Sequence, residues 1–534
     1  MTALNYARYI SKEDGFIGYK INMTLSREII LRHTSQIQDL DKTYCKIPAG
    51  IKLPFTLTFQ EEDTGWFIKA YENGYDFSMD KFSVKTPGKN NIIFTIDVNG
   101  IYSVETKKVF EWKNLSIAES ITIPPKCSKY RTDISTVGID LGTSKFCSSF
   151  IEKNGPILAP LLNLDAFVWN EKPSNVSTTF LPSRVMFDEN GEGEIAFEKN
   201  CGDIFYDWKM IIGKKYDEIH IDSLWPFNIS NFNNTVKLEL STLSKPISKT
   251  PQEISSAILK QIKQNFDNHH SAVITIPSNF DESKIKVIAE AANIANWDVI
   301  HFITEPIAAA FAYFSMKKVS NNSNIIIINF GGGFLDICIA NVCKNQMKIL
   351  SFDGDESIGA REFDKVLYNY FMNILKAKFN IENINKQILI QKCTDIKHTF
   401  SKETNAWLDV SDLDINSTKK IKITKEEFKT LSKNSLSKVK NAILSVTKNS
   451  KLQINQLNYV FHVGGGCYMP MIKELLLDIF PNANHQCTDK PDEIVAKGAA
   501  LYAYYLETRN DLPTWKRWAL NTILYLDGRK PEYW

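Results

Sequence analysis

The chain has 534 residues, 43% of them hydrophobic, enough for two or three domains with full cores and too apolar for disorder to be the default. Its 63 Lys and Arg nearly balance 61 Asp and Glu, so no net field marks a nucleic-acid or membrane-surface binder. Nine cysteines stand without a Cys-x-x-Cys pair, which argues against a zinc site or a disulfide framework and for a reducing compartment. No apolar run approaches the roughly 20 residues of a membrane span. The first residues lack the apolar core of a signal peptide, so a cytoplasmic location is expected.

Residues from about Phe16 to Ile123 read as all-β. Thr56 and Thr58 alternate with Phe55, Leu57 and Phe59, while Ile92, Phe94, Ile96 and Val98 alternate with polar neighbours. The run Asp97-Val-Asn-Gly100 is a hairpin signal. A small sandwich is expected over 1–125, followed by a Pro-led linker at 126–133. From 134 to 507 strands alternate with long helical patterns, the mark of an α/β domain. Pro251 opens one helix, Ala272–Pro277 reads as a buried strand, and Ser283–Ala295 as the helix leaving it. Residues 508–534 read as a helix and an aromatic tail, with Trp515, Trp518, Thr522 and Tyr525 at helical spacing. No internal repeat is visible.

Three glycine tips punctuate the α/β region. The apolar strand Asn324–Phe330 enters Gly331, Gly332 and Gly333, and leaves as a strand containing Asp336. The earlier hairpin Val137–Lys145 has the same design, with Asp140 ahead of Gly142, Thr143 and Ser144. Tyr459–Val463 runs into Gly464, Gly465 and Gly466 and then a helix. Backbone without Cβ atoms lets main-chain N–H groups surround an anion, although an ordinary glycine-rich turn uses the same residues.

These tips, with Phe302–Tyr313 and Lys490–Ala500, resemble the nucleotide-binding domain of DnaK-type chaperones, the heat-shock protein 70 family, over nearly all of 134–506. The resemblance implies an actin-like ATPase of two α/β lobes with ATP or ADP and Mg²⁺ in the cleft. The N-terminal region resembles the family's β-sandwich substrate-binding domain, most clearly in Phe94–Ile101, with support from Ile29–Thr34, Lys46–Pro48 and Ala70–Gly74. In the family that domain follows the ATPase; its position here implies a circular permutation, and an unrelated β-domain is the alternative. The family's helical lid has no counterpart.

By this resemblance, the backbone at Gly142, Thr143 and Ser144 holds one side of a triphosphate, and Gly331, Gly332 and Gly333 the other. Asp140 and Asp336 face the metal through water. Lys209 matches the catalytic lysine that offsets charge on the γ-phosphate, and Glu305 the glutamate near the attacking water. Gly359, Lys397, His398, Ser401, Gly464, Gly465 and Asp492 match nucleotide contacts. Pro277 matches the interdomain switch proline.

The departures are informative. Asn329 stands where the family has a metal-holding aspartate, and an amide cannot replace a carboxylate. Phe334 replaces a hydroxyl residue, Tyr468 an adenine-stacking arginine, and Ile285 a signalling arginine; Ala360 and Arg361 alter a glycine-acid loop. The expectation is an ATP-binding chaperone with weak or absent hydrolysis that binds peptide or protein clients, with co-chaperones as further partners. A non-catalytic adaptor or co-chaperone docking a fixed partner is the alternative. Ile523–Asp527 resembles the family's apolar interdomain linker.

Overall fold

A computed structural model describes chiefly strand residues between 29 and 123, and residues 127–510 apart from 164–176, 189, 197–203, 233, 242–245, 267–268, 380, 382–383 and 414–417. The chain divides into two units, Met1–Glu111 and Trp112–Trp534. The expected tail stripe and the linker-like Ile523–Asp527 lie outside the described residues, as does the turn Asp97–Gly100.

The first unit holds two antiparallel sheets. One joins β1 (Ile29–Thr34), β2 (Lys42–Ile47), β4 (Phe67–Glu72) and β5 (Tyr75–Phe77) in the order β2-β1-β4-β5. The other sets β3 (Phe55–Glu61) beside β6 (Asn90–Ile96) and β7 (Tyr102–Lys108). Its register puts Phe55 opposite Ile96, Leu57 opposite Phe94 and Phe59 opposite Ile92, so the two alternating runs fall in step.

The second unit is built on two mixed sheets of the same plan. In the first, β9 (Thr136–Asp140), β10 (Lys145–Glu152) and β11 (Gly155–Leu158) form an antiparallel meander. Parallel strands β12 (Ser271–Ile276) and β13 (Val299–Thr304) continue from β9, giving the order β11-β10-β9-β12-β13. In the second, β14 (Ser323–Phe330), β15 (Leu335–Cys343) and β16 (Gln346–Asp355) form the meander. Parallel strands β19 (Tyr459–Val463) and β20 (Asn484–Cys487) continue from β14. The short strand β8 (Ser120–Thr122) adds antiparallel to the free edge of β16, pairing Ile121 with Met347. Strands β17 (Asn405–Asp409) and β18 (Lys420–Thr424) form a separate hairpin.

The parallel neighbours require crossovers, which the helices supply. The short α1 (Trp208–Ile211) precedes α2 (Pro251–Gln264), whose start is set by Pro251 and by Thr250, which accepts from the Glu253 amide while Glu253 accepts from Thr250. Helices α3 (Glu282–Ile294) and α4 (Glu305–Met316) follow β12 and β13. After β16 come α5 (Ala360–Phe379), α6 (Lys386–Thr399), α7 (Lys425–Leu431) and α8 (Lys433–Asn449), then α9 (Pro470–Ile479) and α10 (Ile494–Asn510). A buried cluster running from Val273 and Ile303 through Ile307–Tyr313 to Ile325, Phe461 and Ala499–Ala503 places α4 and α10 between the two sheets. The opposite face of the second sheet packs on α5 to α9 through Ile326, Phe330, Phe363, Phe371 and Phe428. The α/β architecture agrees with an actin-like ATPase of two lobes, and its tips from both sheets meet in one cleft.

Candidate active site

Each sheet's central hairpin ends in one of the predicted tips, and topology brings the tips together. A Cβ on Gly332 would fall on Ser144 Oγ, and one on Gly333 would lie 2.8 Å from the Thr143 side chain. Glycine thus lets the two lobes approach closely here, since a larger residue would displace the Ser144 and Thr143 side chains. The Gly331 amide closes its own turn on the Phe334 carbonyl at 2.9 Å, whereas the amides of Thr143, Ser144, Gly332 and Gly333 have no acceptor among the described residues. Four unpaired donors in one gap make a cradle suited to an anion. The third tip closes the other side: Gly464, at φ 85°, lies against the Phe330 carbonyl and Asn329 Oδ1.

Behind the tips lies a buried charge cluster. Lys209 Nζ, delivered by α1, donates to Glu305 Oε1 and to the Leu141 carbonyl, both at 2.7 Å. Glu305 sits at the first turn of α4, where the helix dipole favours an acid. Its second oxygen, Oε2, accepts from Asn329 Nδ2 at 2.6 Å. Both oxygens of this carboxylate are thus engaged by donors. Asp140 accepts from Thr275 Oγ1 at 3.2 Å, and Asp336 Oδ2 accepts from the Ser278 amide at 2.9 Å. Burial, with the charge of Glu305 second, pushes Asp140 up to about 7 and Asp336 up to about 8. Phe334 is buried over the cluster, its ring centre 5.7 Å from Lys209 Nζ.

Asp336 Oδ1 is buried with no hydrogen-bond partner, an orphaned acceptor beside the anion cradle. Together with Asp140 it fits the water shell of a Mg²⁺ ion, which keeps most of its waters. Among the described residues no group of three His, Cys, Asp or Glu is placed to ligate a metal directly. Asn329 adds no charge and turns its NH₂ toward Glu305, so two of the three expected anionic positions remain.

The base-binding candidates take several positions. Lys397 is buried in an ion pair with Asp364 at 2.8 Å and donates to the Ala360 carbonyl at 3.1 Å. His398 is exposed, and the Ser401 amide donates to the His398 carbonyl at 3.1 Å. Tyr468, 41% exposed, donates to Asp492 Oδ1 at 3.0 Å. Gly359 lies against the backbone of Gly332 and Gly333. Pro277 ends β12 next to Ser278, which anchors Asp336.

Two residues gain an importance that their sequence context barely signals. Lys145, at the start of β10, pairs with Asp492 across the cleft. Arg361, singled out in the sequence only as part of an altered loop, crosses the cleft from α5 to the opposite tip. Lys145 directly follows the first glycine tip and Arg361 stands two residues after Gly359, which is the one local sign they carry.

A model of the family described as Hsp70 protein matches residues 136–514. The chaperone protein DnaK of Prochlorococcus marinus is 28% identical over 391 residues, covering 68% of this chain and 58% of the relative. A ribosome-associated molecular chaperone of Eremothecium gossypii is 26% identical over 390 residues, covering 70% and 62%. The chaperone protein dnaK of Cyanophora paradoxa is 29% identical over 384 residues, covering 69% and 60%. The chain therefore spans less than two thirds of the length of these relatives.

Proposed function

The chain belongs to the Hsp70 family, and from that premise we propose that residues 134–507 bind ATP or ADP between the first two glycine tips while hydrolysing ATP slowly or not at all. One observation carries this reading: Glu305, the carboxylate matched to the attacking water, has Oε1 occupied by Lys209 and Oε2 occupied by the Asn329 amide. A water approaching either oxygen must share it with a donor already in place, Lys209 or Asn329. The anion cradle needs neither residue, so binding survives where turnover does not. Bound Mg²⁺ would supply Lewis-acid neutralisation of phosphate charge. Asp140 and Asp336 would hold its waters, Lys209 would offset charge at the end phosphate, and Tyr468 would offer a ring face to the base in place of a cation.

We read the N-terminal β unit as the client-binding part, placed ahead of the ATPase by circular permutation. Peptide or protein clients, and co-chaperones acting on the ATPase, follow from the family. Nucleotide alters client affinity only if it distinguishes two arrangements of the lobes. Calorimetric titration with ATP and ADP plus Mg²⁺, followed by single-turnover hydrolysis on the same sample, tests the reading. Binding without turnover supports it. Hydrolysis at a rate ordinary for the family, abolished by Lys209→Ala, overturns it.

A further inference from the structure

Arg361 is the second residue of α5, and its place is fixed by the glycine tip beneath it. The Ala360 amide donates to the Gly331 carbonyl and the Arg361 amide to the Gly332 carbonyl, both at 3.0 Å. From there the side chain reaches the other lobe. Its Nη2 donates to the Thr143 carbonyl at 3.0 Å, Nε to Ser144 Oγ at 3.1 Å, and Nη1 faces the Asp207 carboxylate. The guanidinium therefore lies in the same gap as the unpaired amides of Thr143, Ser144, Gly332 and Gly333. Gly332, Gly333, Gly359 and Arg361 also line a cavity of about 460 Å³ together with Arg184 and several acids, of which Glu356 is paired with Lys214, Asp222 and Glu362 with Lys365, and Asp364 with Lys397. The carbonyl of Arg184 accepts from the Ala196 amide at 3.0 Å, while its guanidinium has no carboxylate partner among the described residues. Of the acids near the tips, Glu305 is held by Lys209 and Asp207 faces Arg361, while Asp336 keeps one oxygen on the Ser278 amide and the other unpaired.

We propose that Arg361 is this chain's own cation for the end phosphate of a nucleoside di- or triphosphate, so that nucleotide affinity depends little on a divalent metal. On binding, the guanidinium exchanges the Thr143 carbonyl and Asp207 for non-bridging phosphate oxygens. The planar fork suits two such oxygens at once: one charged partner, Asp207, is exchanged for another, and the neutral Thr143 carbonyl for a charged oxygen, which is the favourable part of the exchange. The side chain already spans the lobes, so the exchange moves its head and leaves its anchor on the glycine tip in place. This proposal rests on the nucleotide-binding reading above and deepens it.

The test is equilibrium titration of the full chain with ATP, ADP and AMP, each in Mg²⁺ and in EDTA, for the wild type, Arg361→Gln and Arg361→Lys. The expected result is wild-type ATP affinity in EDTA within about tenfold of that in Mg²⁺. Arg361→Gln then loses at least about tenfold in affinity for ATP and ADP in EDTA, as loss of one charged hydrogen-bond donor predicts, with AMP unchanged. Arg361→Lys recovers part of the loss. A residue that merely supports the fold would move all three nucleotides together, and that result overturns the proposal. So does a larger wild-type loss in EDTA, or Arg361→Gln binding ATP as well as or better than wild type, which would make the arginine a plug between the lobes. A wild type that binds no adenine nucleotide in either buffer overturns the nucleotide-binding reading itself, and is distinguished from failure in EDTA alone.

Discussion

Asn329 Nδ2 donates to Glu305 Oε2 at 2.6 Å, with both side chains buried. An aspartate at 329 would face that oxygen with another one, and two carboxylates at such a separation share a proton instead of both ionising. Asn329→Asp is therefore expected to lower the melting temperature of the ligand-free protein at neutral pH, with the loss shrinking toward about pH 5 as the pair takes up its proton. In ATP a bound Mg²⁺ would favour the ionised form of the introduced aspartate, which no longer donates to Glu305, and single-turnover hydrolysis should rise by about 10²-fold, the scale of one transition-state contact. Unchanged stability and unchanged turnover would remove Glu305 capping as the basis for the slow turnover proposed above.

Lys209 is the one cation that reaches Glu305 among the described residues, and its side chain is 2% exposed. Lys209→Met leaves a buried carboxylate with only the amide of Asn329, a loss of about 3–5 kcal/mol on the scale of broken buried pairs. Denaturant unfolding of Lys209→Met, Glu305→Gln and the double variant checks this. The double variant should be more stable than Lys209→Met alone, because the uncompensated charge is gone. Additive losses would mean that the two groups are not coupled in the folded state.

Much of the site was legible because its signals are local. The tips at Gly142–Ser144 and Gly331–Gly333 follow apolar strands directly, and Pro251 after Thr250 announces a helix start. What the sequence concealed depends on distant pairing. The shared plan of the two sheets rests on registers such as Gly138 with Val273 and Ile327 with Phe461, and the two sheets fill those positions with unlike residues, so no repeat shows. Lys145 meets Asp492 and Arg361 meets Thr143 across separations of 347 and 218 residues, which no local period encodes. Asn329 was legible as a departure, whereas its hydrogen bond to Glu305 required the fold.

At Gly498, α10 lies close against the backbone of α4. A Cβ there would fall on the Ala308 carbonyl, which is helix backbone and has no side-chain freedom with which to yield. Gly498→Ala must push the helices apart within the cluster that joins the two sheets. The expected loss is about 1–3 kcal/mol, as for overpacking of a dense core. Ordinarily Ala stabilises a helix relative to Gly by roughly 1 kcal/mol, so the sign itself is diagnostic. A melting temperature at or above that of the wild type would show that the crossing is looser than this contact implies.

His462 on β19 is 1% exposed, and its Nε2 lies 2.9 Å from His485 Nδ1. His485 Nε2 is 2.9 Å from the Phe480 carbonyl. A carbonyl only accepts, so His485 carries its proton on Nε2, its Nδ1 accepts, and His462 must donate from Nε2. That leaves His462 Nδ1 bare, buried and without a partner. Burial, then the neighbouring His485 ring, holds His462 down at about 4, against roughly 6.5 for an unperturbed imidazole. The unfolded chain therefore binds more protons between these values, and stability rises with pH across that window. The contribution is complete above about pH 6.5 and lost as pH falls through about 4, amounting to at most roughly 3 kcal/mol. Urea unfolding at acidic and neutral pH, about 5 and about 7.5, tests this with His462→Gln, which keeps a donor and cannot titrate. The wild type should lose more stability on acidification than the variant does. Equal losses in the two proteins would assign the acid sensitivity to other groups and leave His462 with a packing role only.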